Sequence, residues 1–107
     1  MSDLSDLSAA TAEFAAVRAW QPWHTPKNLA MALSGEVGEL TTLFQWLTPE
    51  ESTAVMADEK LADEVRDELA DVLLYLVQLA RVLDVDLAEV ARAKLARNEH
   101  RFPPPQN

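Results

Sequence analysis

The chain has 107 residues, no cysteine and a formal net charge of −9. That length accommodates a single domain with a modest core, residues 1–107 taken together, and gives no room for two. The lack of cysteine excludes a disulfide framework or a thiolate metal site, and the acidity excludes the basic face that a duplex nucleic acid partner requires.

Alanine and leucine dominate between widely spaced prolines at 22, 26, 49, 103, 104 and 105, and only Gly35 and Gly38 interrupt them. No alternating strand pattern occurs, so the fold class is all-α. The acidic, polar stretch Met1 to Ala10 does not read as a secretory leader. No apolar run approaches a membrane span, so the expected compartment is the cytoplasm, without a membrane partner. A first helix is expected from about Leu4 to about Trp20, with Phe14, Val17 and Trp20 on one stripe. Residues 1–9 and 103–107 are expected to be flexible tails. The break Gln21-Pro22-Trp23-His24 ends the first helix. Thr25 then reads as an N-cap, with Pro26 at the first position of a second helix reaching about Leu47. Thr48-Pro49-Glu50-Glu51 carries a capping-box start for a short helix or loop. A third long helix is expected over roughly Asp58 to Leu83. Asp86, with Glu89 three residues on, caps a fourth that ends near His100. Four long helices on short connections indicate a four-helix bundle.

The second helix contains Glu36-Val37-Gly38-Glu39 and the third Glu68-Leu69-Ala70-Asp71. Each acid pair stands at i, i+3 and so shares one helix face. With about 100° per residue, Leu29, Leu33, Leu40, Leu43 and Leu47 gather around the direction of Glu36, and Glu39 lies at the edge of that stripe. On the third helix Leu61, Val65, Val72, Leu76, Leu79 and Leu83 form the stripe. Glu68 sits on its border, Asp71 just beyond, and Tyr75 one turn further. Carboxylates in an apolar stripe need a counter-charge. Arg66 points to the far side of its helix, which leaves a divalent cation with oxygen ligands, magnesium, manganese or calcium, as the natural partner. Neither His24 nor His100 follows a glutamate by three residues, as a di-iron bundle requires, and there is no H-E-x-x-H or phosphate-loop motif. The glycines flanking Glu36 fit either close approach of a backbone or ligand, or tight helix packing.

Trp20, Trp23, Trp46 and Tyr75 are polar-tipped aromatics on which a flat base can stack; core or interface packing is the other common fate of such rings. His24 lies in the break before the second helix, where it can bond a ligand or simply brace the loop. Lys94, Asn98 and Arg101 share a face of the fourth helix. They can serve as helix C-terminal cations or as a grip for phosphate groups.

Taken together, Glu36-Val-Gly-Glu39 and Glu68-Leu-Ala-Asp71-Val-Leu-Leu-Tyr75 resemble the E-x-x-E…E-x-x-D signature of the MazG-like, all-α nucleotide pyrophosphohydrolases. The likeness is greatest to the dCTP pyrophosphatase subgroup. It extends over Ala12-Glu-Phe-Ala-Ala, Trp20, His24-x-Pro26-Lys-Asn28-Leu, Phe44-Gln-Trp46 and Lys94-x-x-x-Asn98-x-x-Arg101-Phe-Pro103. The resemblance implies a helical bundle assembled as a homodimer or a dimer-of-dimers tetramer. It implies Mg2+, or Mn2+ in its place, held by Glu36, Glu39, Glu68 and Asp71 as metal-binding and catalytic residues. It further implies a base site lined by Trp20, His24, Trp46 and Tyr75, and phosphates held by Lys94, Asn98 and Arg101. The implied reaction converts a dNTP, dCTP or a modified dCTP, to dNMP and pyrophosphate, cleaning the nucleotide pool. Phe102 stands where the family often has tyrosine, and Thr11 where dCTP-specific relatives can carry histidine. The residues by themselves also allow a non-enzymatic acidic helical module that binds a partner protein.

Overall fold

A computed structural model describes residues 2–106. Its helices are α1 (Asp3–Val17), α2 (Pro26–Phe44), α3 (Pro49–Thr53), α4 (Glu59–Val82) and α5 (Leu87–Arg101), with short 3-10 turns at Gln21–Trp23 and Val55–Ala57. No strand occurs among the described residues, and no helix is long and apolar enough to cross a membrane.

Every α-helix begins on a side-chain cap. Ser2 caps α1, with Ser5 reciprocating. Thr25 caps α2 by accepting from the Asn28 amide, Thr48 and Glu51 form a capping box at α3, and Asp58 and Asp86 cap α4 and α5. The Ser2 cap starts α1 at Asp3, so residues 3–9, expected as a tail, are helical. Residues 103–106 carry no regular structure. Met1 and Asn107 lie outside the described residues.

Two helices end on a left-handed residue that is not glycine. After α1 the chain turns left-handed at Ala19, φ 56°, while the Trp20 amide donates to the Ala15 carbonyl at 2.9 Å and the Ala19 amide to Ala16 at 3.0 Å. After α4, Asp84 does the same at φ 57°, with the Val85 amide donating to Ala80 at 2.9 Å. Both are Schellman turns in which an L side chain occupies the position that favours glycine. The first brings Trp20 back over α1, and Thr25 and Pro26 then start α2. The Asn28 Nδ2 donates to the Trp23 carbonyl at 2.9 Å, tying the connection to α2.

The longest helix, α4, is the spine. α2 packs along it, α1 packs on its C-terminal half, and the Val55–Ala57 turn packs against it. α1 and α4 are further joined by an Arg81 to Ser8 hydrogen bond of 3.3 Å. The buried core is small: Ala15, Leu29, Val55, Ala62, Val65, Val77 and Ala80. Leu76 and Leu83, two members of the apolar stripe of α4, are exposed, as are Leu69 and Leu73 beside it. Phe14, Val17 and Trp20 are exposed on the α1 side. Single-chain packing covers only part of each apolar face.

The fourth long helix, α5, makes sparse contacts with the others and buries no residue. Within one chain the packed unit is therefore α1, α2 and α4, with α5 projecting. The radius of gyration is 17.1 Å, against about 13 Å for a compact domain of this length.

A left-handed alanine costs about 1 kcal/mol that glycine avoids. Ala19→Gly should raise stability by about that amount, and Leu29→Ala, at the most deeply buried side chain, should lower it by about 2–5 kcal/mol. Urea denaturation of the two variants measures both effects.

Candidate active site

The middle of α2 and the middle of α4 each present an acid pair. Val65 and Val77 anchor α4 on either side of Glu68, and Leu29 anchors α2 about two turns before Glu36. The carboxylates are carried into the helix interface by this register. One oxygen from each of Glu36, Glu39 and Glu68 lies within 4.8 Å of the others. Glu36 and Glu68 are half-buried; Glu39 is exposed. The Oε2 atoms of Glu36 and Glu68 are buried and have no hydrogen-bond partner.

Buried carboxylate oxygens without partners are costly. No cation of the chain relieves them: among the described residues the one ion pair joins Arg66 to Asp63, at 3.1 Å on the far side of α4. Burial therefore pushes the Glu36 carboxyl up to about 7; a shared hydrogen bond with Glu68, then Glu39, and the charges of Glu39 and Asp71 push the same way. Burial also raises Glu68, with Glu39 and Asp71 adding to the rise and the hydrogen bond from Glu36 opposing it. Without metal, the Glu36 carboxyl eases the conflict by keeping its proton to a higher pH than an ordinary carboxyl does. A divalent cation does the same with more charge, and three oxygens at this spacing suit a hard ion. The donor set thus fits a metal of the magnesium, manganese or calcium type.

Beside the cluster is a cavity of about 370 Å³ between α1, the α1–α2 connection and α4. Trp20, His24 and Tyr75 line it, as expected from the sequence, and so does Asp71. Asp71 is thus the junction: it faces the cavity, and its charge is felt at Glu36 and Glu68. Phe14 and Trp20 meet edge to face at 5.7 Å, and the Trp20 and His24 rings are tilted at 6.2 Å. The Arg18 guanidinium covers the Phe14 ring at 3.5 Å and donates to the Phe14 carbonyl at 3.1 Å, closing one edge of the aromatic wall.

The structure does not bring every expected residue to this place. Trp46 lies past the end of α2, 86% exposed, and does not line the cavity. Lys94, Asn98 and Arg101 ride on the projecting α5, with Lys94 and Arg101 exposed and Asn98 half-buried. Conversely, Phe14, Leu74 and Gln78 line the cavity without having been expected there, and Thr11, the position at which the resemblance allows histidine, lines it too. Spacing carried the signal for Gln78: 71, 75 and 78 follow i, i+4, i+7 along one face of α4. A Cβ placed on Gly35 or Gly38 would meet nothing within 4 Å, so tight packing within the chain does not account for either glycine.

Fold and site together define an all-helical protein with a clustered-carboxylate centre, able to hold a divalent cation, beside an aromatic cavity. The MazG-like family model matches residues 31–107, and the chain belongs to that family. It is 44% identical over 100 residues to dCTP pyrophosphatase 1 of Homo sapiens and 43% identical to that of Bos taurus. These alignments cover 94% of this chain and 59% of each relative, so the chain spans rather more than half the length of those proteins. A solved pyrophosphatase from Archaeoglobus fulgidus superposes with a TM-score of 0.88 at 37% identity, covering 97% of this chain and 95% of that one.

The raised Glu36 carboxyl has a definite consequence for metal-free protein. In the folded state it holds its proton up to about 7, against 4.5 for its ordinary value. Its contribution is fully present below the ordinary value and is lost as pH rises toward 7. Urea midpoints measured in a chelator should fall across that window in the wild type. Glu36→Gln, which keeps the neutral form, should remove most of the fall.

Proposed function

We propose that this chain is a magnesium-dependent nucleoside triphosphate pyrophosphohydrolase, converting dCTP or a modified dCTP to the monophosphate and pyrophosphate in the service of nucleotide-pool cleaning. The observation that carries the reading is the pair of unpartnered, buried carboxylate oxygens on Glu36 and Glu68 beside an aromatic cavity that shares Asp71 with them. A protein-binding module has no use for that arrangement. The names of the relatives, dCTP pyrophosphatase and pyrophosphatase, support the same reaction.

Glu36, Glu39, Glu68 and Asp71 would hold Mg2+, with Mn2+ a fit substitute. When bound, the metal neutralises triphosphate charge and makes water a better nucleophile. Trp20 and Tyr75 grip the base between α1 and α4, with His24 at its edge. A carboxylate of Glu36 or Glu39 accepts the hydrogen bond of the water that attacks the α-phosphorus, and pyrophosphate departs. No side-chain nucleophile takes part. Glu39 is the exposed member of the trio, which favours it over Glu36 as the water's partner.

The phosphate grip requires a second copy. Lys94, Asn98 and Arg101 do not line their own chain's cavity. Their helix projects, and the α4 residues Leu69, Leu73 and Leu76 are left exposed. Both features are met if the functional unit is a homo-oligomer, a dimer or a dimer of dimers, in which partner helices cover α4 and complete the four-helix bundle. α5 then delivers its cations, and Trp46 its ring, to a neighbouring site.

The reaction is tested by product analysis over a panel of dNTPs and NTPs, with and without magnesium. Monophosphate plus pyrophosphate, formed only with metal, is expected; diphosphate plus phosphate would overturn the mechanism. Glu68→Ala and Asp71→Ala should each abolish turnover with helical content unchanged by circular dichroism. Arg101→Ala should lower kcat/KM by about tenfold to a hundredfold, the loss of one charge-assisted phosphate contact. Co-refolding Arg101→Ala with Glu68→Ala should restore part of the activity, because a mixed assembly contains sites with both residues intact.

A further inference from the structure

The groove between α1 and α4 is not closely filled. The aromatic cavity occupies one end of it. A second cavity of about 380 Å³ adjoins the first and shares Thr11, Ala15, His24 and Gln78 with it. Beyond lies a third, of about 490 Å³, between the first turns of α1, the end of α4 and the start of α5. Arg81 lines both of these further cavities. The side chains buried on the two helices here are small: Ala15 on α1, Val77 and Ala80 on α4. Small side chains beside open space leave the separation of two helices weakly determined, because few atoms are in contact to resist a shift.

Arg81 crosses this groove. Its Nη1 donates to Ser8 Oγ on α1 at 3.3 Å, the one side-chain hydrogen bond between two helices among the described residues. Ser8 is half-buried, and its carbonyl accepts from Thr11 Oγ1 at 2.9 Å. The residue that Arg81 holds therefore also holds Thr11, a member of the cavity wall. Further along α1, Phe14 supplies more of that wall, and the Trp20 amide is bonded back to the Ala15 carbonyl. The facing wall, Asp71, Leu74, Tyr75 and Gln78, belongs to α4. The width of the cavity is thus the separation of α1 from α4.

We infer that Arg81 is a positioning residue: by bridging to Ser8 it fixes α1 against α4 and so sets the width of the aromatic cavity. The inference rests on the nucleotide reading proposed above. Arg81 does not line the aromatic cavity, and it stands about three turns beyond Asp71 on α4. The carboxylates belong to α2 and α4, which pack on each other directly. The bridge therefore governs binding and leaves the chemical step alone. Released from Ser8, α1 samples wider positions, and only the close one lets Trp20 and Tyr75 hold a base together. Apparent affinity then falls by the fraction of molecules in which α1 is close.

Two variants break the bridge from either end. Arg81→Met keeps the stem and removes the donor; Ser8→Ala removes the acceptor and favours the helix. Each should raise KM for dCTP about threefold to tenfold, the size expected for one hydrogen bond, with kcat unchanged. The double variant should be no worse than either single one, since both remove the same contact. Arg81→Lys, which can still donate, should retain most of the wild-type KM. With no nucleotide present, amide hydrogen exchange should quicken along α1 in both variants and stay the same along α2. KM unchanged in both variants, whatever the exchange shows, or a loss confined to kcat, would overturn the assignment while leaving the pyrophosphohydrolase reading intact. A wild type that yields no monophosphate and pyrophosphate from any nucleotide would remove that reading and this inference with it.

Discussion

Two glutamates, Glu36 on α2 and Glu68 on α4, meet across a helix interface with buried oxygens that nothing in the chain satisfies. An ordinary core position would carry leucine there, and the surrounding stripe does. The cost of two desolvated carboxylates in mutual repulsion must be offset by something that binds between them. In metal-free protein the Glu36 carboxyl lessens that cost by holding its proton up to about 7. In the proposed enzyme a divalent cation would take that place. The helix pair is thereby destabilised where the chemistry happens and stabilised by the species that performs it.

The remainder of the chain serves this junction. The Schellman turn at Ala19 folds Trp20 back beside Phe14, the Thr25 cap and Pro26 fix the start of α2, and both bring the aromatic wall next to Asp71. Asp71 belongs to both regions, lining the cavity and acting by its charge on Glu36 and Glu68. The projecting α5 and the uncovered leucines of α4 belong to the same logic on a larger scale. The chain spreads to a 17.1 Å radius and leaves apolar faces open, as would suit a subunit of the proposed homo-oligomer.

Much of this was legible in the residues because it rests on local rules. Side-chain caps at Thr25, Thr48, Asp58 and Asp86 start helices where the sequence places them. Glu36, Glu39 and Glu68 come together as the helical faces assigned in sequence would have them, and Arg66 does point away, to Asp63. Less legible were features that depend on neighbours. The turns at Ala19 and Asp84 lack the glycine that usually announces a helix end. Trp46 and the α5 cations share types with the site residues but not their place, since the chain carries them past the cavity. Gln78 looks like an ordinary polar position in sequence; only the approach of α1 to α4 makes it part of the cavity wall.

The central claim is that Glu36 and Glu68 are held apart from water in order to bind a metal. Calorimetric titration of the metal-free protein with Mg2+ near pH 7, in buffers of different ionisation enthalpy, tests it directly. The account predicts saturable binding accompanied by proton release, because the cation displaces the proton held at Glu36, and loss of both signals in Glu36→Gln. No binding, or binding without proton release that survives Glu36→Gln, would contradict it.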